Sequence, residues 1–192
     1  MSTTFSVNGR DYLHDGRPVV VIDDAPRFAY RGVMLDVARH FHPVATVTAY
    51  IDRASSLKLN HLHLHLTDDQ GWRLQLRSRP ELTAHAAATS VGGDPGGFYT
   101  QDDFREIVTY AAAHHMTVVP EIDLPGHANA LVAAYPELGN LDIGTPPTGP
   151  WERFGVNART LAPTEEALAF GRAAVDALCD EQLVAHELGD RR

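Results

Sequence analysis

The stretch His61-Leu62-His63-Leu64-His65-Leu66-Thr67-Asp68-Asp69-Gln70-Gly71 decides how this chain folds. Strict alternation over the first six residues predicts a strand with three imidazoles on one face and three leucines on the other. The following loop sets two adjacent carboxylates at that strand's C-terminal end. Working upstream, Arg31 to Asp36 (RGVMLD) is an apolar run that also ends in a carboxylate. Behind Pro43, residues Val44, Val47, Ile51 and Ala54 then share one helical face. Downstream, Thr100 with Asp103 forms a capping-box pattern ahead of a stripe of Phe104, Ile107, Val108 and Ala111. Met116 to Ile122 reads as a further strand, ending at Asp123. Strands alternating with helices, with a carboxylate at three successive strand ends, predict an α/β fold whose parallel strands gather their active groups at one edge.

The remaining segments fit around that frame. Pro18 to Ile22 is a short β-branched run closed by turn residues, and Trp72 to Leu76 is read as a hairpin leading into the glycine-rich stretch Val91 to Gly97. Leu124 to Pro163 is long and irregular, which marks a functional loop. Thr164 caps a last helix whose apolar side takes in Leu168, Val175 and Leu178, and Leu183 to Leu188 reads as a weak fourth strand.

Composition bounds the partners. The chain has 192 residues, 44% of them hydrophobic, with 16 Lys+Arg against 25 Asp+Glu and a net charge of −9. That balance, without a basic cluster, argues against nucleic acid and anionic membranes. No run approaches the roughly 18 apolar residues of a membrane helix, and no signal peptide is visible, so the chain reads as cytoplasmic as written. The single cysteine, Cys179, cannot form an internal disulfide and reads as a structural thiol on the last helix.

Three groups of residues carry candidate chemistry: Arg39-His40, Asp68-Asp69, and Asp123 with His127, each following a strand. Strand ends converge in a parallel barrel, and clustered carboxylates and imidazoles hold their charge states apart, as acid/base work requires. Arg39 offers a planar fork for hydroxyls or a carboxylate. Singly, each residue also fits a capping or solvated role. His63 and His65 present a His-x-His pattern that can hold a metal, or else hydrogen-bond inside a barrel. The run from Gly92 to Gly97 lacks both G-x-G-x-x-G and G-K-[ST], so it reads as a flexible connection. Trp72 and Trp151 either stack on sugars or cover the core.

The stretches RGVMLDVARHF (from Arg31), LHLHLTDDQGWR (from Leu62), GGFYT (from Gly96) and VPEIDLPGH (from Val119) resemble, in order, the motifs of glycoside hydrolase family 20, chiefly β-N-acetylhexosaminidases. The match runs from about Pro18 to Thr164. The resemblance implies a (β/α)8 TIM barrel that removes terminal N-acetylglucosamine or N-acetylgalactosamine from glycans or chitooligosaccharides by a substrate-assisted retaining mechanism, with no cofactor and no metal. It gives Arg39 the hydroxyls of the sugar, makes Asp68 and His127 a relay to the acid/base residue, and sets Asp123 behind the carboxylate that orients the acetamido group. His186, Gly189 and Asp190 can be laid on the family's His-x-Gly-Gly-Asp-Glu setting. Asp190 is then the acetamide-orienting aspartate, while Arg191 stands where the general-acid Glu is expected; Glu187 is not promoted to that role.

An eight-fold barrel takes about 250 residues. The expectation is therefore the N-terminal part of the barrel, about the first four strands, over 29–192, with residues 1–28 as a lead-in that ends like the last strand of a lost N-terminal domain. With the general acid and the C-terminal half-barrel missing, activity of this chain alone is expected to be impaired. Two alternatives stand beside this. One is a non-catalytic sugar-binding or partner-completed fragment that self-associates through open barrel edges, and the other is a metal-dependent hydrolase using His63 and His65.

Overall fold

The computed structural model describes residues 25–180. Three strands, β1 (Gly32–Asp36), β2 (His61–His65) and the later Thr117–Glu121, form one parallel sheet with β2 at its centre. Helix α1 (Val44–Ser56) connects the first two strands. Between β2 and the third strand come β3 (Thr67–Asp68), β4 (Gly71–Trp72), α2 (Glu81–Ala84) and α3 (Gln101–Ala113), so the third sheet strand is β5. Helices α4 (Asn129–Ala134) and α5 (Glu165–Asp180) follow.

Alternation in β2 does what the sequence predicts. Leu62, Leu64 and, just beyond, Leu66 are fully buried, in one core with Val47 and Ile51 of α1 and Phe104 and Ile107 of α3. The opposite face carries the histidines. Parallel register sets Asp36, His65 and Glu121 abreast at the C-terminal ends of the three strands. On α3 both arms of the capping box form: the Thr100 hydroxyl accepts from the Asp103 amide, and the Asp103 carboxylate accepts from the Thr100 amide.

Three expectations need correction. The hairpin lies earlier than Trp72 to Leu76: β3 and β4 pair antiparallel, with Thr67 opposite Trp72 and the turn at Asp69-Gln70, while Leu74 instead bridges in parallel to Tyr99. Gly71 is needed there, since a Cβ would fall 2.3 Å from the Arg73 guanidinium carbon. The segment after Asp123 is not wholly irregular, because it contains α4. Finally, Leu168 and Val175 of α5 are 54% and 52% exposed, whereas Ala167, Phe170, Ala174 and Leu178 face the core. Phe170 sets that rotation: it meets Trp72 edge-on at 6.1 Å and lies under the Arg79 guanidinium at 5.3 Å. Trp72 is accordingly core, 1% exposed, with its indole N–H donated to the Leu74 carbonyl.

The end of the glycine-rich stretch, at Gly96 and Gly97, is closely packed, while Gly92 stands in open space and Gly93 is uncrowded. A Cβ on Gly96 would meet the Ala87 carbonyl oxygen at 2.1 Å, so backbone is packed there where no side chain fits. The run at 18–22, the weak strand Leu183–Leu188, Glu187, Asp190, Arg191 and the Cys179 side chain lie outside the described residues. No helix among the described residues is long and apolar enough to cross a membrane.

Candidate functional site

Asp68 is the centre of the strand-end cluster. Its side chain is fully buried and each of its oxygens receives two donors. Oδ2 lies 2.5 Å from Arg39 Nη2 and accepts from His65 Nε2 at 2.8 Å. Oδ1 accepts from His127 Nδ1 at 2.9 Å and from the Asp69 amide at 2.6 Å. Burial disfavours the carboxylate, but His65, the Asp69 amide, Arg39 and His127 outweigh it and hold Asp68 below the usual aspartate range. Three strand-end loops thus meet on one ionised group.

Each partner is held in its own way. Arg39 also contacts Asp36 Oδ2 at 2.6 Å, and the Asp36 carboxylate accepts the amides of Ala38 and Arg39, so β1's last residue shapes the turn that aims the guanidinium. His127 has φ 51°, a conformation uncommon for a non-glycine residue, and its side chain remains 31% exposed. With Nδ1 committed to Asp68, Nε2 is the nitrogen left to meet a substrate or a proton donor. His40, although next to Arg39, faces outward, with Asp94 at 3.9 Å as its ion-pair partner among the described residues.

His65 is 4% exposed and lies between two carboxylates, with Nε2 on Asp68 and Nδ1 2.9 Å from Glu121 Oε1. The Nδ1 contact is an ion pair whose direction falls outside hydrogen-bond geometry. Burial disfavours the imidazolium, yet Asp68, Glu121 and Asp36 together push it up to about 9. A folded-state value above the unfolded 6.5 stabilises the fold fully below about pH 6.5, and the contribution disappears as pH rises through about 9. That shift corresponds to about 3 kcal/mol. Urea midpoints should hence fall between pH 6.5 and 10, and a flat profile there would contradict the assignment.

Glu121 was not singled out in the sequence, although its i, i+2 spacing with Asp123 is a strand-face signal. It reaches His63 Nε2 at 2.6 Å as well as His65, and so separates the two histidines of the His-x-His pattern. The ligand atoms of His65, Glu121 and Asp123 lie within 4.8 Å of one another, as do those of Asp68, Asp69 and His127. Both His65 nitrogens face carboxylates, so the protonated ring itself supplies the cation that these acids require. Asp123 donates its backbone amide to the Thr67 hydroxyl at 2.9 Å.

Asp69 plays a different part from its neighbour. It is fully buried, and its carboxylate accepts the amides of Asn129 (3.0 Å) and Asn157 (2.9 Å). The Asn157 side chain in turn donates to Asn129 Oδ1, and the Asp69 carbonyl accepts the Trp151 amide. This carboxylate therefore fastens the long segment after β5 over the site. Burial raises its pKa, opposed by the two amides.

Comparison with known proteins follows the same outline. Residues 28–184 match the model of the glycosyl hydrolase family 20 catalytic domain. The chain belongs to this family. It is 55% identical over 121 residues to a β-N-acetylhexosaminidase of Cellulomonas fimi, an alignment covering 63% of this chain and 24% of that protein. Among solved structures, a family 20 β-N-acetylglucosaminidase superposes with a TM-score of 0.78 at 56% identity, covering 83% of this chain and 36% of the other. A Streptomyces plicatus β-hexosaminidase in complex with product (GlcNAc) gives 0.77 at 46%, covering 82% and 31%. The chain thus spans about a quarter of the length of the curated relative and about a third of each solved chain. The sheet and helices described here are the corresponding part of the family 20 TIM barrel.

Proposed function

We propose that this chain carries part of a β-N-acetylhexosaminidase site, binding the terminal N-acetylglucosamine or N-acetylgalactosamine of a glycan or chitooligosaccharide. The observation that supports it is the fourfold-bonded Asp68, which locks Arg39 and His127 side by side. In this reading Arg39, 27% exposed at its side chain, holds sugar hydroxyls with the N–H groups not spent on Asp36 and Asp68. Asp68 and His127 form a relay that supports the acid/base residue, and Asp123 sits behind the carboxylate that orients the acetamido group.

Chemistry in such a site is substrate-assisted. The acetamido oxygen bonds to the anomeric carbon as the glycosidic bond breaks, the leaving oxygen takes a proton, and water then opens the oxazoline-like intermediate with net retention. Asp190 is the proposed acetamide-orienting aspartate. Arg191 stands at the proton donor's position, and a guanidinium does not donate near neutral pH. General acid catalysis is worth typically about 10²- to 10⁴-fold, so turnover by this chain is expected to be weak although the sugar binds.

The test pairs binding with turnover. Purified 192-residue chain should bind N-acetylglucosamine in a calorimetric or NMR titration, and Arg39→Met should abolish it; no binding, or binding indifferent to Arg39, overturns the assignment. Robust release from a chromogenic N-acetylglucosaminide would overturn the impairment. A second reading, a partner-completed sugar-binding protein, is favoured by a cavity of about 740 Å³ lined by Leu124, Pro125, Leu161, Leu168 and Val175 beside α5. A well-behaved monomer in light scattering counts against it.

A further inference from the structure

We propose that His65 is a positioning residue of the relay, a buried imidazolium that pins Asp68 against His127 and is itself anchored by Glu121. The inference rests on the relay reading above and adds to it a buried imidazole and a partly buried carboxylate behind Asp68. Its basis is a continuous chain of contacts across the three strand ends: Arg39 to Asp68 Oδ2 (2.5 Å), Asp68 Oδ2 to His65 Nε2 (2.8 Å), His65 Nδ1 to Glu121 Oε1 (2.9 Å), and Glu121 Oε2 to His63 Nε2 (2.6 Å).

Register brings these groups together. Asp36, His65 and Glu121 are direct neighbours across the parallel sheet, so strand pairing sets their Cβ atoms side by side, and burial of the imidazole restricts the rotamers by which it could leave the two acids. Four carboxylates face it: Asp36 at the end of β1, Asp68 on the hairpin, Glu121 at the end of β5 and Asp123 just beyond it, within 4.8 Å of the ring, with Arg39 and His63 one contact further out. Asp68 needs such a partner. Oδ1 is held by His127 and the Asp69 amide, and the second oxygen is held by Arg39, which also serves Asp36 and a sugar, and by His65. His65, buried and rotationally confined, supplies a cation that substrate binding does not compete for. In that setting His127 keeps its Nδ1 proton on Asp68 and presents Nε2 outward.

The full 192-residue chain, labelled with ¹⁵N, tests this through imidazole nitrogen shifts, which report tautomer and charge separately. In the unmodified chain His65 should show both nitrogens protonated at pH 7.5, and His127, when neutral, should be predominantly the Nδ1–H tautomer. His65→Gln should leave the fold recognisable by circular dichroism yet mix the His127 tautomers. Glu121→Gln, a milder change at a partly exposed carboxylate, should lower the His65 titration midpoint by about one unit or more. Asp68→Asn is the control for the underlying relay. If Asp68→Asn leaves the His127 tautomer untouched, the relay reading itself fails. If it alters the tautomer but His65→Gln does not, only the role of His65 falls. A neutral His65 in the unmodified chain at pH 7.5 overturns the proposal without any variant.

Discussion

Replacing Arg73 with methionine is expected to cost the fold about 3–5 kcal/mol. Arg73 has no exposed surface, and its guanidinium donates to carbonyl oxygens rather than to a carboxylate. Nε reaches Val37 (3.1 Å) and Ala38 (3.2 Å), Nη1 reaches Ala87 and Gly97 (both 3.2 Å), and Nη2 reaches Ala38 (2.7 Å) and Thr89 (2.9 Å). Burial pulls its pKa down to about 10, which still leaves it charged at neutral pH. The fork joins the turn that carries Arg39 to the glycine-rich segment, so methionine would fill the space and leave several buried carbonyls without donors. Lysine should lose less than methionine but still a substantial part, because one ammonium cannot span carbonyls arranged for a planar fork. Urea denaturation of the two variants measures this, and a methionine variant within about 1 kcal/mol of the unmodified chain would refute it.

Asp69→Ala is expected to lose about 2–4 kcal/mol and, more tellingly, to free the segment around 149–157 before the rest of the molecule. The carboxylate is the shared acceptor for amides 60 and 88 residues further along the chain, at Asn129 and Asn157. Alanine leaves both amides unpaired beside the site, and the segment is then held only by weaker tethers: the Asn157–Asn129 side-chain bond, the Trp151 amide on the Asp69 carbonyl, and the Gln70 side-chain amide on the Arg153 and Gly155 carbonyls among them. Hydrogen exchange should accelerate at the amides of Asn129, Trp151 and Asn157 but not in β2 or α3. Uniform acceleration throughout would mean that Asp69 supports global stability rather than this segment.

Much of this molecule is legible from residue order. The alternation from His61 to Leu66, the Thr100–Asp103 box and the stripe on α3 each fix a local periodicity, and burial follows periodicity when one face must leave water. The four family motifs likewise bring Arg39, Asp68 and His127 under suspicion before any geometry is known. Glu121 was half visible, as a charge two residues before Asp123 on one strand face. Arg73 closes one of the four family motifs, but nothing in its position there announced a buried fork, and Asn129 and Asn157 carried no local signal, since an asparagine in a loop is ordinary on a surface.

Rotation of α5 shows the limit plainly. Leu168, Val175 and Leu178 make an acceptable apolar stripe, yet Phe170 wins because Trp72 and Arg79, 98 and 91 residues earlier in sequence, offer it a better partner than water. The division in Asp68-Asp69 has the same origin. Sequence alone determined the strand order's chemistry: parallel βα units, strand-end carboxylates and a family 20 frame. Only tertiary structure decided that Asp68 takes Arg39 and two imidazoles while Asp69 takes the amides of the later segment, because a carboxylate's role is set by which donors converge on it, and those donors come from segments that only the folded sheet brings together.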